Sequence, residues 1–408
     1  MTTTSTTTGP PRLPTAVYVL ALTVFCLGTS EFMIAGLLPD IADDLDVSVP
    51  AVGGLISSFA IGMLVGAPVM TLLTLRLPRR TMLFASATVF ALAHLVVLGS
   101  DDYRVLLASR VVAAVACATF WAVGAVTVVA LAPEGTTARG LAVLVGGLTV
   151  ANVVGVPAGT WVGDHFGWRT TFVAVAVATV ATLVVTWRAV PETREASTSS
   201  LGALARREVA ALAKVRLLVA LGTTASYQAA VFCTFSYLAP LLIEVSGLRE
   251  STVPAVLLLF GLGTLLGITL GGRYSDRNLL AAVLICFGLL AASLVALAAS
   301  ASNPVLVWAT VFLFGASGFS AASAINARVF VHAAEAPTLA SAVNVSAFNV
   351  GNAVGPWVGG LVIAGGLGYS APIWASLGLV ALASALATVS WVMERERVTA
   401  CADVACAA

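Results

Sequence analysis

The chain is a succession of long apolar runs, each of roughly the 20 residues that cross a bilayer as a helix, separated by short breaks rich in charge, proline or glycine. Reading run by run predicts spans over 16–38, 50–74, 81–99, 104–132, 139–161 and 168–190, then 216–243, 251–271, 278–300, 305–331, 338–364 and 372–393. Alternation of apolar and polar positions over segments of about ten residues, the mark of a membrane β-barrel, is absent. The pattern therefore predicts an all-α membrane protein with twelve transmembrane helices. The widest break, 191–215, carries Ser/Thr clusters and charges and divides the chain into two sets of six spans. Five segments follow: a polar, disordered N-terminus over 1–15, an N-terminal six-helix half over 16–190, a linker over 191–215, a C-terminal six-helix half over 216–393, and a tail over 394–408.

The two halves echo each other. Asn152-Val-Val-Gly155 and Asn352-Ala-Val-Gly355 lie 200 positions apart, and Gly159 and Gly359 keep that offset. Gly62 and Gly66 match Gly263 and Gly267 at 201. Two pseudo-symmetric halves with a binding site between them are the plan of a secondary transporter.

Composition narrows the class. Of 408 residues, 59% are hydrophobic and 10% charged, which rules out a soluble enzyme, and a net charge of +1 gives no basis for nucleic acid binding. Cys26, Cys117, Cys233 and Cys286 sit singly in apolar runs, while Cys401 and Cys406 lack histidine partners, so neither a metal nor a cofactor is expected. Sixteen Lys and Arg residues fall on the side of the N-terminus and three (Arg104, Arg169, Arg249) on the other, which predicts both termini in the cytoplasm and the chain in the cell membrane.

Only Glu31 and Arg110 place a charge well inside a span, and such residues mark ion or substrate paths. Glu31 precedes Pro39 by eight residues and Arg110 follows Tyr103 by seven. At 1.5 Å per residue both lie about 10–12 Å below the outer surface. They are expected to pair directly or through water, with Glu31 taking a proton from outside and its protonation altering its attraction to Arg110. Burial raises a carboxyl pKa and a guanidinium lowers it, so such a site titrates near neutrality. The competing reading is a static ion pair that fixes two spans together. His94 admits a proton-relay role, but a lone histidine there reads first as a packed one.

Glycines recur every fourth residue as Gly155, Gly159 and Gly163, and as Gly351, Gly355 and Gly359. Similar stripes occupy the second and eighth spans. Small residues on one helix face permit close backbone contact in lipid, and their equivalent places predict a sliding interface between the halves. Pro157 and Pro356 should kink their helices. If spans one, four, seven and ten line a cavity, Phe120, Trp121, Tyr227, Gln228, Phe232, Phe235 and Tyr237 face it, with Asn326, Asn344 and Asn349 adding hydrogen bonds. An apolar, aromatic cavity with few polar groups suits a small neutral amphiphile rather than a sugar or phosphate.

Several of these motifs carry a family resemblance. Gly155-Val-Pro157-Ala-Gly159 resembles the antiporter motif of the major facilitator superfamily, and Leu106–Ala114 with Arg110 its fourth-span motif. Gly272-Arg-Tyr-Ser-Asp276-Arg277 is similar to its loop motif between spans eight and nine. The counterpart after span two keeps Arg76, Arg79 and Arg80 but has Leu75 where the family's aspartate sits. Gly28-Thr-Ser-Glu31 through Gly36-Leu-Leu-Pro39-Asp40, with Phe166-Gly-Trp-Arg169, looks like the twelve-span drug:proton antiporter branch, and within it the chloramphenicol exporters of actinobacteria. The resemblance implies proton-coupled efflux of a chloramphenicol-type drug by alternating access, with no enzymatic activity, and with Asp276 and Arg277 in an inward-side gate. Its partners would be the drug, protons and the bilayer, and a single chain would suffice. An exporter of an endogenous metabolite or sugar, or of a broader range of drugs, shares the same signature. A channel or a membrane-embedded enzyme is disfavoured, because the halves repeat and no nucleophile–base pair is present.

Overall fold

A computed structural model describes residues 13–74, 77–133, 136–191, 215–275, 279–332 and 337–406. Asp276, Arg277, Leu75 and Arg76 lie outside them, as do most of the 1–15 segment and of the 191–215 linker. Among the described residues, twelve helices are long and apolar enough to cross a membrane, and no strand occurs.

The N-terminal half comprises α1 (Thr15–Phe32), α2 (Ile34–Asp44), α3 (Val49–Thr74), α4 (Arg79–Leu95), α5 (Tyr103–Leu131), α6 (Thr137–Val150), α7 (Val156–Phe166) and α8 (Trp168–Ala189). The C-terminal half comprises α9 (Val215–Phe235), α10 (Val253–Ser275), α11 (Leu279–Ser300), α12 (Leu306–Ser320), α13 (Ala322–His332), α14 (Pro337–Val362) and α15 (Ala371–Cys406). Helix forms because a spanning segment must satisfy its backbone internally. Span hydroxyls do the same: Thr23, Thr127 and Thr186 each donate to the carbonyl four residues earlier, at 3.1, 2.7 and 2.8 Å. Outward-facing side chains such as Leu22, Val65 and Ile285 are exposed and apolar, as a lipid-contacting surface requires.

Three spans expected to be continuous are broken. The first, read as 16–38, stops at Phe32 and restarts at Ile34 as α2. The seventh, read as 216–243, stops at Phe235 and resumes as the short helix Leu238–Pro240 and a π-helical turn at Leu241–Val245. The tenth breaks at Ala321 between α12 and α13. In the fifth span a π-helical turn, Ala151–Gly155, joins α6 to α7 just before Pro157. It absorbs the hydrogen bond that proline cannot make.

Packing repeats between halves. α1 lies on α6 and α8 as α9 lies on α14 and α15; α3 lies on α5 as α10 lies on α12. The halves meet through α3 against α14, and through α7 and the π-turn against α10. These are the helices that carry the glycine stripes, but the stripes themselves face elsewhere. A Cβ at Gly155 would strike Thr29 of α1, and one at Gly159 would crowd Thr171 of α8. Gly351, Gly355 and Gly359 look onto α9 or Tyr237 just beyond it; Gly62 and Gly66 onto α5; Gly263, Gly267 and Gly271 onto α12. Gly155, Gly159, Gly355 and Gly359, expected at a sliding interface, thus face helices of their own half. These glycines bring helices together within a half. The seam uses Gly261 instead, whose Cβ would stand 2.6 Å from Val153 Cα, and Gly53, which admits the Tyr237 ring.

At the end away from the termini, Arg169 gathers three elements. It pairs with Asp44 at the end of α2 and with Asp101 before α5, and its Nε donates to Val97 O at 3.2 Å. Trp168 Nε1 also donates to Asp44, at 3.1 Å. The hydrogen bond from Arg169, assisted by Trp168, holds the Asp44 carboxyl below its usual range. That stabilisation is fully present above the ordinary carboxylate pKa and is lost as pH falls through the lowered value. Partly exposed pairs of this kind contribute about 0–1 kcal/mol. Arg169→Gln is expected to lower the midpoint of thermal unfolding modestly at neutral pH, with the gap from the parent closing in acid; equal gaps at both pH values would refute the linkage.

Candidate functional site

Glu31 occupies the last turn of α1, beside the break at Met33, and is buried. Arg110 on α5 does not reach it directly. Its Nη1 donates to Ser30 Oγ at 2.8 Å and its Nη2 to Ser30 O at 3.0 Å, while the guanidinium lies over the Phe59 ring at 4.3 Å. The arginine is therefore anchored one residue from the carboxylate, close enough for its charge to act on Glu31.

Ser30 is held from a third element. His94 Nδ1 lies 2.7 Å from Phe90 O, which can only accept, so Nδ1 carries the proton. In the neutral ring Nε2 then accepts from the Ser30 hydroxyl, with which it is in contact. Each group in the run Arg110, Ser30, His94, Phe90 gives a proton to the next. His94 is buried between the Phe90 and Phe172 rings, at centroid distances of 4.2 and 5.6 Å. A second cation in this network would face Arg110, which favours the neutral imidazole.

From the opposite half comes Asn352 on α14. Its Nδ2 donates to Glu31 Oε1 at 3.4 Å, and its Oδ1 accepts from Gln228 Nε2 on α9 at 2.8 Å. Nearby, Ser57 Oγ donates to Ala353 O at 2.9 Å, and the Phe32 and Phe232 rings meet across the seam at 5.3 Å. Further toward the loop end, α2 touches the Leu238–Pro240 helix, and Gly360 approaches Pro50. Asp40 on α2 senses the charge of Glu250 across the seam; burial, with Glu250 and Asp43, pushes its carboxyl up to about 6. Among the described residues the hydrogen bonds joining the halves are made by the neighbouring residues Asn352 and Ala353 of α14, at the depth of Glu31.

The expected substrate residues separate into groups. Phe120, Tyr227 and Phe235 are buried, the last two against rings of their own half. Phe120 is fully buried, Phe235 stacks on Phe260 at 4.6 Å, and Tyr227 stacks on Phe287 and bonds Gly318 O. Tyr237 lies against Gly53 across the seam, and its hydroxyl donates to Pro356 O of its own half at 2.8 Å. Gln228 and Phe232 stand at the seam beside Glu31. Asn344 bonds Asn326 and Thr224 within the C-terminal half, Asn349 keeps a buried Oδ1 without a hydrogen-bond partner, and Trp121 is half-buried. Sequence reasoning left out Ser30 and Phe59, gave His94 a packing role, and met Asn352 only as half of a repeat.

Fold and site together define a two-lobed membrane carrier. The Major Facilitator Superfamily model matches residues 20–345, and the chain belongs to that family. It is 43% identical over 371 residues to a "Chloramphenicol resistance protein" of Streptomyces lividans, covering 91% of this chain and 95% of that one. It is 36% identical over 351 residues to the "Inner membrane transport protein YdhP" of Escherichia coli K12, covering 86% and 89%. Among solved structures, a bacterial homologue of the human lysosomal transporter Spinster superposes with a TM-score of 0.71 at 16% identity, covering 92% and 96%. At that identity the likeness is one of fold.

Proposed function

We propose that the chain exports a small neutral amphiphile of the phenicol class from the cell in exchange for protons, by alternating access, with Glu31 carrying the proton. The observation that carries this reading is one buried carboxylate at the meeting plane of two lobes, with a guanidinium anchored one residue away and an amide of the opposite lobe on its oxygen. A carboxylate so placed has every means to respond to lobe movement. The resistance protein of Streptomyces lividans, similar along nearly its whole length, supports the choice of drug class. With the termini in the cytoplasm and the chain in the cell membrane, the contacts of α2 with the Leu238–Pro240 helix and of Gly360 with Pro50 lie toward the outside. Gln228, Phe232 and Asn349, beside Glu31 or with spare hydrogen-bonding capacity, are the residues assigned to the drug, and the chain works as a monomer.

The test is accumulation of labelled chloramphenicol by inverted vesicles from a host stripped of its own pumps. Uptake against the gradient, collapsed by a protonophore, is expected. Protection of the same host against chloramphenicol and its close analogues alone supports the narrow substrate class. Protection against cationic dyes as well would replace it with a multidrug role, and absence of uphill uptake would overturn the reading.

A further inference from the structure

We propose that Asn352 is a latch that holds the empty, deprotonated carrier shut at the end away from the termini. The inference rests on Glu31 being the proton carrier and adds how its charge is felt by the other lobe. Asn352 makes the one side-chain-to-side-chain hydrogen bond that crosses the seam among the described residues. The polarity of that bond is fixed by chemistry. A carboxylate only accepts, so Asn352 must present Nδ2 to it, and Gln228 Nε2 occupies the Oδ1 that remains. Gln228 and Asn352 both belong to the C-terminal lobe, so that lobe offers the N-terminal acid an oriented, preset donor.

Protonation changes the terms of this contact. A hydrogen bond to a charged carboxylate is about twice as strong as its neutral counterpart. The neutral acid also gains an O–H that needs an acceptor, while Asn352 Oδ1 is already engaged by Gln228. The titratable and charged groups around Glu31 are Arg110 and Cys117 of α5, and His94 of α4 through Ser30. They all lie on Glu31's own lobe, so Asn352 is the contact through which loss of charge reaches the other. A drug that hydrogen-bonds to Gln228 or Asn352 would weaken the same latch by competition.

This arrangement is what obligatory exchange demands. An exchanger must cross when either solute is bound and must stay put when neither is. The latch is strongest in the one state, charged and empty, whose crossing would let protons return without exporting drug.

The test is proton leak through drug-free proteoliposomes carrying a pH gradient. The parent is expected to hold the gradient, and Asn352→Ala to dissipate it several-fold faster. Gln228→Ala, which frees Asn352 to turn, is expected to leak in the same sense but less, and serves if Asn352→Ala folds poorly. Adding Glu31→Gln to either variant should abolish the extra leak; a leak that survives it overturns the latch. A second reading uses spin labels at Asp102 and Ser302, exposed at the loop ends of the two halves. Held in one alkaline buffer, because Asp40 and Glu250 also face each other across the seam, the parent should give a short distance and Asn352→Ala an added longer one. A leak-tight Asn352→Ala with parental distances overturns the inference. If Glu31→Gln alone abolishes coupled efflux, that failure is the latch's; if Glu31→Gln leaves coupled efflux intact, the proton-carrier reading itself has failed.

Discussion

Glu31→Gln is expected to reach the membrane at parental abundance and to lose all efflux driven by a pH gradient, while still exchanging labelled for unlabelled drug across an ungraded membrane. The amide keeps an oxygen for Asn352 Nδ2, so the contact across the seam survives in its neutral form. What disappears is the capacity to lose a proton. Antiport depends on proton and drug excluding one another, so in the parent acidification should weaken drug binding. In the variant that pH dependence should flatten. The two measurements separate coupling from binding: loss of exchange as well would mean that Glu31 is a structural contact, and retained uphill efflux would move the coupling acid elsewhere.

Arg110→Lys should be nearly as damaging, although the charge is kept. The guanidinium uses two nitrogens on two oxygens of Ser30 and lays its flat face on Phe59. An ammonium cannot reproduce that fork. Losing one hydrogen bond from a charged donor costs about 1.5–3 kcal/mol, equivalent to a roughly 10–150-fold fall in the population of the correctly placed cation. Arg110→Ala goes further, because without a cation nearby the buried acid stays protonated. Its transport should match that of Glu31→Gln, and the double variant should be no worse than either. An additive loss in the double variant would show that the arginine acts independently of the acid. Counterflow and gradient-driven efflux, measured side by side, decide between these outcomes.

The parts of this site that the sequence displays are those that break a pattern. Glu31 and Arg110 stand out because charge is costly in an apolar run. Ser30 and His94 do not, since a serine in a spanning helix commonly bonds its own backbone and one histidine has no visible partner 64 positions away. Asn352 announces itself as a repeated position, but repetition says nothing of a contact 321 residues distant. The glycine stripes show the other limit. Four-residue spacing identifies a face that allows close approach and leaves the approaching helix unnamed, so a face that serves packing on α5, α9 or α12 reads equally well as a seam. The break after Phe32 is hidden for a further reason: the nearest proline, Pro39, lies inside the next helix rather than at the break. The twelve spans are legible because hydropathy alone determines them.

That the glycines bind each lobe to itself has a mechanical corollary. With close-fitting backbones throughout its interior, a lobe has few ways to bend, and reorientation is left to the narrow strip where one lobe leans on the other. The free-energy difference between the two orientations is then set by a handful of contacts there, so turnover speed can drift through single substitutions along that strip while thermal robustness of the lobes stays fixed.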